Sequence, residues 1–507
     1  MIKNTLTTLT LLLLAIAPFS TPLADAKDNL NVVAPWEISS TDPATDGYLF
    51  LRMGIMETLV NTDANGALQP GLASEWKVAA DGLSWTFTLR DATFHDGTAL
   101  SAAAVASALL RAAEHPGPLS KAPVRRIKHS GADVVIELES AYAILPAILA
   151  HSSTIIPAPA SFDNEGKPRS AIGTGPFKIE KLNPPQSLTA VRFDSYWGEA
   201  AKLSSANYLA VKRAETRALM AESGDADLVF TLDPSGYKRL SQIKQVTTRS
   251  VAIPRVMLVK VNNTHPMLEL DARRALSLAI DREGIAAGIM RFPEAAALQL
   301  FPPALGHWHD TSLPALSYNP QESQTLLKAL GWTAGDDGIL TRNGERFSLT
   351  LRTFPDRPEL PLVGAALQDQ WKNIGVELNV SVSNYSEIPA GHQDGSLELA
   401  LFARNYGATA DPTGTVYADF GAGGGDWGSM NWNAPNVAEA IATIAANGEA
   451  AVRNPLIKQV ASDIHQGLPL LPVAWYQHTL SIASGLDGVI VDPLERSYGL
   501  QNISWVK

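Results

Sequence analysis

The sequence contains no cysteine. Disulfides, a lipid-modified N-terminal cysteine, thiolate metal sites and cysteine nucleophiles are therefore excluded. Long apolar runs are also missing. Leu9 to Phe19 has the length of a signal-peptide core and falls short of the roughly 20 residues a membrane-spanning helix needs. Nor is there an excess of positive charge. The formal net charge of −11 argues against nucleic acid or an anionic membrane as partner. HExxH, Walker-type and nucleophile-elbow motifs are absent, and no internal repeat stands out.

What is present is a chain of 507 residues, 46% hydrophobic, which is too long for one ordinary core and predicts at least two lobes. Residues 1–26 read as a signal peptide. Lys3 supplies the positive end, and Ala24-Asp25-Ala26 the small-x-small cleavage pattern. The mature protein is expected to begin near Lys27, soluble in the periplasm.

Strands and helices interleave. Leu83 to Leu89 and Val134 to Leu138 alternate apolar and polar residues as half-buried strands do, with Asp81-Gly82 as a tight turn. Ala102 to Glu114 predicts a helix capped by Ser101. Asp271 to Ile289 has helical periodicity, and Gln321 to Leu330 stops at Gly331. The expected class is α/β with long surface loops.

Leu72-Ala73-Ser74-Glu75-Trp76, Asp81 to Arg90 and Phe94-His95-Asp96-Gly97 resemble the signature of the peptide/nickel family of periplasmic solute-binding proteins. Further matches follow in the family's order: Gly173-Thr174-Gly175-Pro176-Phe177, Tyr196-Trp197-Gly198, Gly224-Asp225-Ala226-Asp227, Asn262, Arg273-Arg274-Ala275-Leu276, Ile280-Asp281-Arg282, Leu330-Gly331-Trp332 and Ile374-Gly375-Val376. The resemblance implies a two-lobed periplasmic binding protein of the enlarged type II, whose lobes close on a hinge. Its first lobe would take residues 27–257 and 476–507, with an inserted subdomain at about 70–165, and its second lobe residues 258–475. It also implies a monomer that delivers solute to the permease of an ABC importer, with no catalysis and no intrinsic cofactor.

For the solute, the stretch Leu401 to Pro412 is the most informative. Related dipeptide binders carry, just after the glycine, an aspartate for the peptide's amino group; here that position is Ala408. Arg404 and Tyr406 match nickel-chelate binders, although their tyrosine before Asp-Pro is Ala410 here. Asp411, before Pro412, reads as a turn or cap residue. Arg52, with Tyr48 nearby, predicts either a contact to a ligand carboxylate or an ion pair with Glu57.

Trp427 is a cleft candidate. It lies in Gly423-Gly424-Gly425-Asp426-Trp427-Gly428, which formally contains GxGxxG but precedes Pro435 rather than opening a helix, and so reads as a flexible loop. His478 is either a structural histidine or a ligand to a transported metal. His307 and His309 read as surface-loop residues. These features predict capture of a small metal chelate, nickel with histidine or an opine-type metallophore, held by Arg404 and Arg52 and covered by Tyr406 and Trp427. A peptide binder is the alternative, with a periplasmic hydrolase or chaperone more distant.

Overall fold

Two long antiparallel strands, Val246–Val261 and Leu470–Ala483, organise the molecule. In this computed structural model, which describes residues 27–506 apart from 64, 65, 116, 356 and 423, they lie at the middle of a ten-stranded mixed sheet. The expected signal peptide of residues 1–26 lies outside the described residues.

On one side of the pair the sheet continues through Leu399–Asn405, Ser348–Thr353 and Glu377–Val382. On the other it runs through Leu228–Phe230, Asn29–Ala34, Ser205–Ala210, Ser187–Arg192 and Phe177–Asn183. Its sequence explains why the first crossing strand serves both sides. Residues 246–251 are at most partly buried, whereas Val256 to Val261 are all buried, the pattern of a strand covered on both faces.

Packing divides the chain into two lobes. One core joins apolar side chains between Val256 and Trp475. Another joins Leu30 to Phe230 with the returning segment Leu480 to Ile503. A third lies under a separate four-stranded sheet, in the order Ala73–Val78, Ser84–Leu89, Asp133–Leu138, Val124–Ser130. The fold is the expected two-lobed α/β arrangement.

Local chemistry accounts for most boundaries. Gly82 takes φ 73° in the turn between the first two strands of the small sheet. Ser101 accepts from Ala104 N at 3.2 Å and starts the helix Ala102–Glu114. The expected helix Asp271 to Ile289 is broken instead. Leu270–Leu278 ends, Asp281 caps a new short helix Arg282–Ile285, and a π-helical turn follows. The break seats Arg282, fully buried, where it donates to Pro472 O, Ser277 O and Ser277 Oγ.

Several family motifs meet in one partly buried knot. The Glu57 carboxylate accepts from Thr174 Oγ1 at 2.8 Å, Tyr196 Oη at 2.9 Å and Trp197 Nε1 at 2.9 Å. Gly175 passes so close to Gly54 that a Cβ there would lie 2.2 Å from its carbonyl oxygen.

Candidate ligand-binding cleft

Between the small-sheet subdomain and the second lobe lies a cavity of about 710 Å³. One wall comes from residues 117–151, including Lys121, Tyr142, Ile144 and His151. The other comes from residues 404–446, including Arg404, Thr409, Tyr417 and a run of alanines. The walls touch at one end, where Ala143 N donates to Ala445 O at 2.8 Å. Among the described lining residues there are cations, Lys121 and Arg404, and no aspartate or glutamate.

Arg404 stands near the end of the strand Leu399–Asn405, opposite Val256 of the first crossing strand. Its guanidinium grips Asp419 of the helix Thr413–Phe420 in two hydrogen bonds, 2.8 Å from Nε and 2.6 Å from Nη2. Asp419 is 2% exposed at its side chain and Arg404 is 23% exposed, so the pair is buried from behind and open toward the cavity. Burial pushes the Asp419 carboxyl above its ordinary value, and the guanidinium opposes that shift.

His151 lines the same cavity as a neutral imidazole, because burial, with Arg496 nearby, lowers its pKa to about 4. Ala408 also lines the cavity. Asp411 closes the turn ahead of the helix that carries Asp419, accepting from Thr413 N at 2.9 Å, and is paired with Arg453.

The structure places the remaining sequence candidates elsewhere. Tyr406 is fully buried, edge-on to Phe301 at 5.3 Å; the chain turns there to donate Tyr406 N to Pro254 O, which carries the ring into the core rather than to the cavity. Trp427 packs edge-on against Phe402 at 5.0 Å and over Tyr385 at 6.5 Å, away from the cavity lining. The glycines around it serve close packing. A Cβ on Gly428 would lie 2.2 Å from Asp419 Cα. Gly423 of that motif lies outside the described residues.

Arg52 is not paired with Glu57. Its Nε donates to Glu495 O at 2.6 Å and its guanidinium lies 4.1 Å over Trp36 and 5.3 Å from Tyr48. His478 is buried, stacked on Phe230 at 5.5 Å, with Nδ1 3.6 Å from Glu495 Oε1; burial lowers its pKa. Among the described residues no three His, Cys, Asp or Glu side chains are grouped to hold a metal ion. His309 Nδ1 bonds Phe301 O at 2.8 Å, while His307 is exposed.

Sequence reading missed Lys121, His151, Tyr142 and Tyr417. They sit on segments that no motif marks and that meet only when the lobes do.

Among the described residues no helix is long and apolar enough to cross a membrane. The model of the family described as bacterial extracellular solute-binding proteins, family 5 Middle, matches residues 67–427. The nickel-binding periplasmic protein of Escherichia coli (strain K12) is 27% identical over 521 residues, covering 98% of each chain. The dipeptide-binding protein of the same organism is 22% identical, covering 86% of each. NikA from Brucella suis in complex with Fe(III)-EDTA shares the fold with TM-score 0.83 at 22% identity, over 94% of this chain and 99% of that one. With the fold, the interlobe cavity and the family model all in agreement, the chain belongs to family 5 of the bacterial extracellular solute-binding proteins.

Proposed function

We propose that this chain is the periplasmic solute-capturing component of an ABC importer and that its solute is a small carboxylate-bearing metal chelate, such as nickel with histidine or an opine-type metallophore. One observation carries the reading: the cavity presents Lys121 from one wall and from the other the open N–H groups of Arg404, whose charge Asp419 partly offsets, and among its described lining residues there is no carboxylate. Such walls favour an anionic guest. A chelate brings the metal's donor atoms itself, so the protein need only match its charge and outline. The names of the nickel-binding relative and of the Fe(III)-EDTA complex agree with this choice.

A peptide is the second reading, favoured by the alanine-lined second wall and the dipeptide-binding relative. Against it, no carboxylate on the described lining faces a peptide's amino group.

Thermal melts separate the two. Nickel with excess L-histidine, opine-type chelates, nickel alone, and di- to pentapeptides are each added to the chain from Lys27. A true solute at a hundredfold excess over its dissociation constant stabilises by about 2.7 kcal/mol. A shift with chelates, reduced in Lys121→Ala, supports the chelate reading; a shift with peptides alone overturns it.

A further inference from the structure

His151 is the one histidine among the described lining residues of the interlobe cavity, and its backbone is held on both sides. His151 N donates to Ile148 O at 3.0 Å, while His151 O accepts from Thr154 N at 2.9 Å and from the hydroxyl of the fully buried Thr154 at 2.8 Å. The preceding carbonyl, Ala150 O, takes Arg496 Nε at 3.0 Å. The ring therefore stands on a fixed stalk at the start of the short 3-10 turn Ser152–Thr154.

That turn also decides which ring nitrogen carries the proton. Ser153 N, a group that can only donate, points at His151 Nδ1 from 3.1 Å, and Ser153 Oγ lies 2.9 Å from the same atom. Nδ1 is thus the lone-pair nitrogen, and in the neutral ring the proton sits on Nε2. All hydrogen bonds of the ring to described residues fall on Nδ1, which leaves the Nε2–H edge for the cavity that the ring lines.

A metal ligand needs the reverse. An imidazole that binds metal through one nitrogen donates the N–H of the other to an acceptor. Were Nε2 to take a metal, Nδ1 would carry the proton and meet the Ser153 N–H head on. The chemistry left to the ring is donation to a lone pair. We propose that His151 reads the captured solute as a hydrogen-bond donor, through Nε2–H to an acceptor atom of the solute, and supplies no ligand to the solute's metal. The inference deepens the chelate reading above and rests on the cavity being the solute's site. It narrows the solute to a chelate whose metal is complete without an imidazole from the cavity walls and which turns an oxygen toward His151.

Two variants that each copy one ring nitrogen test this. His151→Asn keeps an acceptor for Ser153 N, and with it the turn, but has nothing at the place of Nε2; His151→Gln puts an amide donor there. Nickel–citrate, nickel with excess L-histidine, and trialanine are titrated by calorimetry into the wild type and both variants, with melting temperatures taken on each free protein. The chelates are expected to bind His151→Asn about tenfold more weakly than the wild type or worse, at an unchanged melting temperature, and His151→Gln to recover most of the loss. X-ray absorption at nickel is expected to show the same number of imidazoles in the wild-type complex as in the free chelate, which for citrate is none.

An additional imidazole at nickel overturns the proposal, and so does equal affinity of the wild type and His151→Asn for whichever probe binds. Either result, obtained with a chelate, leaves the chelate reading intact. Trialanine bound by the wild type and weakened in His151→Asn, with no chelate bound by any of the three proteins, supports the donor role and removes the chelate reading. Binding of none of the probes overturns both.

Discussion

Arg404 holds Asp419 through one edge of its guanidinium, Nε at 2.8 Å and Nη2 at 2.6 Å, while its remaining surface lines the cavity. Removing the carboxylate charge leaves a partly buried cation without its ionic partner. Asp419→Asn is therefore expected to lower stability by about 1–3 kcal/mol, read from urea unfolding. A loss below about 1 kcal/mol would show that the pair is incidental to the fold.

His95 sets an acid limit. Its Nε2 bonds Gly175 O at 3.0 Å and its Nδ1 accepts from Gly173 N at 3.3 Å, a neutral-ring pattern, and burial lowers its pKa to about 4. A histidine whose folded pKa lies below its unfolded value contributes stability above pH 6.5 that is lost as pH falls through 4. The loss amounts to at most about 3 kcal/mol. His95→Gln should flatten the fall in unfolding free energy between pH 6.5 and 4, measured by denaturant titration at each pH.

Lys260 acts with the same sign at higher pH. Fully buried, it donates to His392 Nδ1 at 2.7 Å and to Gly425 O and Asp426 O at 2.8 Å, pinning the glycine-rich loop to the first crossing strand. Burial brings its pKa down to about 7. The unfolded chain then binds the extra proton above pH 7, so this residue makes stability rise from pH 7 toward 10.5. Lys260→Met should remove that rise, and urea midpoints compared at pH 7 and 9.5 would reveal it.

Gly175 allows the backbone to pass Gly54, where a Cβ would meet a carbonyl oxygen at 2.2 Å. Backbone on both sides leaves nothing flexible to yield. Gly175→Ala is expected to cost about 3 kcal/mol or more, by denaturation or by loss of folded yield. An unchanged midpoint would show that this segment can shift.

The motifs that reveal the family are parts of its interior. Thr174, Tyr196 and Trp197 close around Glu57, and Arg273 satisfies the carbonyls of Leu268, Gly467 and Leu468. Such residues read clearly in sequence because burial and close packing restrict them. They specify the fold and carry no information about the solute.

The strand Ser84–Leu89 was legible through its alternation, and Ser101 through its capping chemistry. The cavity was not. Arg404 and Tyr406 are neighbours in sequence, yet the turn after Asn405 sends one to the cavity and the other into the core. Arg52 and His478 gave no sign of meeting around Glu495, since that contact joins a helix, a crossing strand and the C-terminal segment. Only the tertiary fold brings Lys121 and Tyr417 to one space.

The two crossing strands remain hydrogen-bonded along most of their length and slip register between Ala252 and Val256. Lobes joined this way have no slack chain between them. Any movement of one lobe against the other would have to bend this ladder, as two plates bend a leaf spring, and the register breaks are where the pairing would yield first. The work of that bending would be subtracted from the affinity for a solute that drew the lobes together.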